Sequence, residues 1–371
     1  MIKSVFAQKD ATIYKDILSL NTGLDEILEI RKSALYKINI GTIAETAIST
    51  AVSSSLARTL IKFDLSEISS SIKSGKITSP KYYLKLYTSD AKQIQTDYTI
   101  EARPISQSWD MGSGKKASNP IISNGATWDY KNYTISASIS TGNVWSGSTA
   151  IPVGGGTWHT QSGYIASQVF SYETTDLEMD VSNIVNAWMT GGLANEGFIL
   201  AFSSSLESNS TEYGSINFFS RDTNTIYPPT LQVKWNDSVY STGSLSAVDI
   251  NGMAVSLSGL KERYKNSEIA KLNLFIRDKF PAKAYVTSSR YLVGKYLPTS
   301  SYYSVKDAHT EEVLIPFDSG STKVSCNSSG HYFNFDMSGL QPERYYKFIL
   351  KVENTDNTII IDDKFYFRVE R

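Results

Sequence analysis

Cysteine and histidine are scarce: 371 residues include one cysteine and three histidines. With Cys326 alone, neither an internal disulfide framework nor a cysteine-based zinc cage can be built. Cys326 sits in KVSCNSSG with no neighbouring histidine or basic cluster to lower its pKa, so it reads as a small half-buried residue rather than a reactive thiol. His159, His309 and His331 stand far apart, outside metal-ligand spacing of one another, and no HExxH or HxH pattern occurs. His159, beside Trp158, reads as a plain loop histidine, with a sugar contact as the other reading. The chain has no GxSxG, GxxxxGK[ST] or GxGxxG. Its VGGGTW lacks the following helix that would set amides against a phosphate. These absences leave triad and nucleotide chemistry without support, and the chain is expected to be no enzyme and to need no cofactor or metal. Glycoside cleavage needs only two facing carboxylates, which sequence alone cannot place.

Charge of one sign is lacking too. Lys plus Arg number 36 and Asp plus Glu 37, and the balance holds on both sides of residue 236, so neither nucleic acid nor an acidic tail is indicated. The start, MIKSVFAQKDATIY, has no apolar run of secretory type, and no stretch of about 18 apolar residues occurs anywhere. The expectation is a chain made and folded in a cytoplasm, with no membrane partner. On that expectation the Asn-X-Ser/Thr sequences at Asn132, Asn209, Asn236 and Asn327 are chance occurrences in an Asn- and Ser-rich chain.

What is present is tyrosine, 23 residues of it, with Ser, Thr, Gly and Asn crowding between short apolar runs, the composition of an all-β chain with many turns. RTLIKFDLSEI alternates, with Ile61, Phe63 and Leu65 on one side and Lys62 and Asp64 on the other, and predicts a strand with one wet face. YYLKLYT places Tyr82, Leu84 and Leu86 together. TIYK, EILEIRKS, TIEARPI, GFILAF, SINFFS and TLQVKW read the same way.

One stretch has helical spacing. In DLEMDVSNIVNAWMTGG, Val181, Ile184, Val185 and Trp188 fall three and four apart, Asp180 or Ser182 can cap the start, and Gly191 with Gly192 ends it. Asp176, Glu178 and Asp180 just upstream alternate on one strand face. They read as a wet face leading into the helix's positive end, with a calcium site as the competing reading.

Residues 106 to 165 form a glycine- and tryptophan-rich connection carrying Trp109, Trp128, Trp145 and Trp158. On loops these are the residues to stack on sugar faces, and they are the candidate glycan contacts; the competing and favoured reading is that they fill the sandwich ends. The Tyr pairs at Tyr82, Tyr302 and Tyr345 pose the same question, since tyrosine is favoured at interfaces.

After Trp235 the chain turns small and polar. NDSVYSTGSLS, residues 236 to 246, reads as a linker between a domain of residues 1–235 and a second of residues 247–371. KLNLFIRDKFP, HYFNFDMSGL, YYKFILKVEN and DKFYFRVE are its strands, enough for one sandwich.

The first domain resembles the DNRLRE family of jelly-roll domains. The carrying pieces, in order, are KDATIY, NTGLDEILEI, ARTLIKFDLSEI, YYLKLYT, WDMGSG, NGATWDY, DVSNIVNAWMTGGLANEGFILAF and SINFFSRDTNTIYPPTLQVKW. The chain departs from the family in a long insertion between Lys32 and Arg58 and in the loop IPVGGGTW. The second domain resembles fibronectin type III and other immunoglobulin-like sandwiches through LQPERYY, which has the spacing of a tyrosine corner with Tyr346 as the tying residue. The predicted fold is all-β, an N-terminal jelly-roll sandwich with one short helix followed by an Ig-like sandwich. The pair resembles structural proteins of tailed bacteriophages. That resemblance implies a virion subunit, a neck or tail adaptor or a decoration protein, bound to other virion proteins in a symmetric oligomer. A carbohydrate-binding module or adhesin reading host glycans is the alternative.

Overall fold

The computed structural model describes residues 1–34, 54–136, 139–148, 151–172, 175–281, 293–355 and 357–371. Most of the insertion between Lys32 and Arg58 therefore lies outside the described residues. The alternating stretches form strands, in chain order β1 (Ile2–Tyr14), β2 (Ile27–Ala34), β3 (Ser54–Phe63), β4 (Lys81–Leu86), β5 (Thr88–Lys92), β6 (Tyr98–Pro104), β7 (Tyr130–Ser136), β8 (Ile139–Val144), β9 (Ala166–Phe170), β10 (Leu177–Asp180), β11 (Phe198–Phe202), β12 (Gly214–Phe219) and β13 (Thr230–Lys234). Further on come β14 (Ser246–Ala247), β15 (Met253–Ser258), β16 (Arg263–Lys265), β17 (Ile269–Asp278), β18 (Lys295–Tyr296), β19 (Ser301–Asp307), β20 (Val313–Ile315), β21 (Ser325–Asn327), β22 (Gly330–Asp336), β23 (Arg344–Glu353) and β24 (Thr358–Glu370). The protein is an all-β sandwich fold. It divides into two compact units, a larger one of Phe6–Glu67 and Tyr82–Leu231, and a smaller one of Met1–Val5, Ile68–Lys81 and Gln232–Arg371.

In the larger unit β3 is the hub. One edge pairs β1 from Ala57 to Phe63; the other takes β2 through Ser54 to Ala57 and then β11 through Thr59 to Ile61. From β11 the ladder continues through β6 to β9, and from β2 through β12 to β5. Two neighbours sharing one edge make the sheet diverge between Ala57 and Thr59; at the far end of the β3–β11 ladder Phe198 lies edge-on to Phe63 and 4.7 Å from the Trp188 ring. Gln168 on β9 joins it to β10, donating to the Asp176 carbonyl at 3.0 Å and accepting from the Glu178 N–H at 2.8 Å, so a side-chain amide takes the place of a missing ladder rung.

The wet face expected of β3 holds at Lys62, half-buried, and at Asp64, exposed, but not further back along the strand. Ile61 and Phe63 are fully buried on one side, yet Leu60 on the other is equally buried, packed in a second small core with Trp109, Trp128 and Trp145. The glycine- and tryptophan-rich connection covers that face, which strand alternation alone does not reveal.

The helix expected near Trp188 is α2 (Ser182–Met189), with Ile184, Val185 and Trp188 buried. Asp180 Oδ1 accepts from the Ser182 N–H at 2.9 Å and tethers its start. Two further helices correct the expectation of one, Ser66–Lys73 and Ser204–Ser208, which we number α1 and α3 in chain order. Both are serine-rich and short. α1 sets Ile68, buried, and Ile72, half-buried, four apart on one face, whereas α3 buries nothing.

The smaller unit packs β15-β17-β22-β21 against β16-β24-β23-β19-β20. Tyr303, Phe333, Phe335, Phe348 and Phe367 form its aromatic centre, with Tyr303 stacked 4.4 Å from Phe333. The Tyr346 hydroxyl donates to the Gln341 carbonyl at 2.7 Å, tying β23 back to the corner before it. Residues 236 to 246 are not a free tether. The Cys326 N–H donates to the Val239 carbonyl, Ser241 N–H to the Cys326 carbonyl, and Tyr240 pairs in parallel with buried Cys326.

Candidate functional site

The tryptophans divide three to one. Trp109, Trp128 and Trp145 are buried, at 1%, 6% and 1% exposure. Trp109 donates its indole N–H to the Glu196 carbonyl and Trp145 to the Thr127 carbonyl, both at 2.9 Å. Their rings face Ala11, Ile13, Leu56, Leu60 and Ile199 rather than solvent, so none of these three presents a face on which a sugar stacks. Trp158 alone reaches the surface, half-buried at the rim of a small cleft with Glu101, Arg103, Ser204 and Glu207.

Arg58, on β3, links the inner and outer indoles. Its guanidinium lies 5.2 Å from the Trp128 ring and 4.9 Å from the Trp158 ring, in contact with both π-systems. It grips Glu207 at two points and donates to the Gly155 carbonyl at 2.5 Å. Arg103 makes a similar forked contact with Glu101. Both carboxylates in the cleft are thus held in orientation by guanidinium groups.

Gly154, Gly155 and Gly156 cross this platform with φ of +74°, +82° and +86°, a region costly to any residue with a Cβ. A Cβ on Gly154 would stand 2.5 Å from the Trp128 ring, on Gly155 2.6 Å from the Arg58 guanidinium, and on Gly156 2.7 Å from Ile199 Cδ1. The glycine run is a close crossing of backbone over packed side chains, not a phosphate cradle.

Just before it comes a turn whose described residues, on either side of 149–150, are fixed by hydrogen bonds: the Val153 N–H donates to the Ser146 carbonyl at 3.0 Å and the Gly155 N–H to the Trp128 carbonyl at 2.7 Å. Ser148 and Ile151 exchange N–H to carbonyl bonds at 3.1 and 3.0 Å. Yet the turn holds Ile151 and Val153 out into solvent, at 76% and 71% exposure. Two branched apolar side chains on a braced turn are the feature the sequence reading missed; its signal was the pair Ile151 and Val153 around Pro152 amid glycine and serine.

The remaining candidates have local duties. Asp176 Oδ1 accepts from the Thr88 N–H at 2.9 Å and Asp180 serves α2, and among the described residues no three His, Cys, Asp or Glu side chains gather at metal-binding distance. His331 is buried, its Nε2 accepting from the Leu297 N–H at 2.8 Å, and burial pulls its pKa down to about 4. Burial raises the Cys326 thiol pKa, the reverse of a reactive cysteine. Tyr82 is buried in the larger unit, whereas Tyr345 is 39% exposed.

No family model and no curated protein matches the chain. Among solved structures it is similar to a DUF4785 family protein from Legionella pneumophila, at 7% identity and a TM-score of 0.20, with 100% of this chain and 62% of that chain covered. The chain therefore spans less than two thirds of that protein, and a likeness so slight carries no argument.

Proposed function

We propose that the chain is a non-enzymatic structural protein that works through protein–protein contacts, and that the turn carrying Ile151 and Val153 is one contact surface. One observation carries this reading: those two side chains are 76% and 71% exposed on a backbone that hydrogen bonds and the Arg58 platform hold in place. Exposed apolar side chains on a mobile loop cost little and signify little, whereas fixing them in water forgoes burial that a partner surface can supply. The setting we propose, a neck or tail adaptor or decoration subunit of a bacteriophage virion, rests on the ordered resemblance of the first domain and on the stiffness of sandwiches that leave loops free to dock. Virions purified from the native host should contain the chain at a fixed, symmetric copy number, and the folded Ile151→Asp/Val153→Asp variant should fail to enter them. Absence of the chain from such particles overturns the proposal.

A second reading has its own observation. Trp158 keeps an outer surface beside Glu101, Arg103, Ser204 and Glu207, the mixture of aromatic face and fixed polar groups that sugars prefer. A glycan array read with the native chain and with Trp158→Ala tests it, and binding unaltered by the substitution removes Trp158 from consideration.

A further inference from the structure

Lys32, on β2, is 2% exposed, and no carboxylate among the described residues forms an ion pair with it. Its ammonium nitrogen meets only neutral oxygens: the Leu206 carbonyl, the Asn209 carbonyl at 2.6 Å and the Asn209 side-chain Oδ1 at 2.8 Å. Burial of a lysine favours its neutral, nucleophilic form; desolvation lowers the Lys32 pKa, with the more distant charge of Glu207 opposing it.

The carboxamide it touches is itself held at every polar atom. Asn209 Oδ1 also accepts from the Thr211 backbone N–H at 2.9 Å, and Asn209 Nδ2 donates to the Tyr213 hydroxyl at 2.9 Å. Tyr213 is buried, its ring lies 5.5 Å from the Lys32 nitrogen, and its own N–H donates to the Lys32 carbonyl at 2.9 Å. One amine, one carbonyl oxygen with a fixed N–H donor, and one hydroxyl on the amide nitrogen are the parts of an acyl transfer.

We propose that Lys32 and Asn209 form an intramolecular isopeptide bond. The ammonium gives up a proton to solvent water, from which the departing ammonia later takes it up; Nζ adds to Asn209 Cγ, and the negative charge gathers on Oδ1, where the Thr211 N–H donates to it. The Tyr213 hydroxyl protonates Nδ2 as the Cγ–Nδ2 bond breaks, and is reprotonated from the new Nζ–Cγ amide nitrogen. Lysine ammonium and carboxamide become a secondary amide and one ammonium ion, with no oxidant or cofactor. The product removes a buried charge and clamps β2 to the segment after α3, residues separated by 177 positions in the chain.

Intact-mass spectrometry of the full chain, purified and held at neutral pH for several days, tests this. The expected mass is lower than that of the sequence by one ammonia, and protease digestion releases a branched peptide joining Lys32 to Asn209. Lys32→Arg and Asn209→Ala each keep the full mass, and Tyr213→Phe slows the loss about a hundredfold. A native chain at full mass overturns the proposal. So does an ammonia loss that persists in Lys32→Arg or comes without the branched peptide, since cyclisation of Asn209 onto its own backbone gives the same mass change.

Discussion

Arg58 binds Glu207 at two points, Nε to Oε1 at 3.0 Å and Nη2 to Oε2 at 2.6 Å, with the two side chains only 12% and 14% exposed. The pair anchors the loop on one side and α3 on the other, so its removal tests the platform itself. Arg58→Ala strands a mostly buried carboxylate and uncovers two indoles, and should cost about 3 kcal/mol in urea unfolding. Arg58→Lys should recover less than half of that, because an ammonium cannot fork to Glu207 and lie flat on the rings.

The glycine crossing should tolerate no side chain. Gly155→Ala places a methyl group against the Arg58 guanidinium at a φ of +82°, and we expect a loss of about 2 kcal/mol or more in the same unfolding experiment. Gly163 is the control: a methyl group there would meet nothing within 4 Å and the backbone has no positive φ, so the change should stay within about 0.5 kcal/mol.

Tyr346→Phe deletes one hydroxyl, the donor to the Gln341 carbonyl. The smaller unit should lose about 1 kcal/mol, read as a lower denaturant midpoint with an unchanged slope.

Two buried groups should tilt the pH profile in opposite directions. His331, with its pKa drawn down by burial to about 4, is neutral when folded, so the unfolded chain takes up the proton first. Its contribution is present above about pH 6.5 and lost as pH falls toward 4, up to about 3 kcal/mol. Asp10 is 1% exposed with its pKa raised by burial to about 7. It favours folding below about pH 4 and that preference fades as pH rises through 7. His331→Gln should flatten the acid limb of the stability profile, and Asp10→Asn should raise stability at pH 8 more than at pH 4.

Local patterns were legible in the sequence and long-range closure was not. LQPERYY spells out the Tyr346 contact within a few residues, and the spacing of Ile184, Val185 and Trp188 announces α2. Trp109, Trp128, Trp145 and Trp158 look alike in composition, yet three are buried and one is half-exposed, because their fate depends on β3 supplying Leu60 and Arg58 from a distant part of the chain. Arg58 and Lys62 occupy the same alternating face, so nothing local marks Arg58 as the residue between two indoles. The serine-rich α1 and α3 were missed for different reasons: α1 shows only the pair Ile68 and Ile72 directly after an alternating strand, and α3 has no apolar stripe at all.

Hydroxyl-radical footprinting of Ile151 and Val153, first in the isolated chain and then in particles purified from the native source, tests the contact surface most directly. We predict strong labelling of both residues in the isolated chain and protection of both in the particle. Equal labelling in the two states would contradict the account.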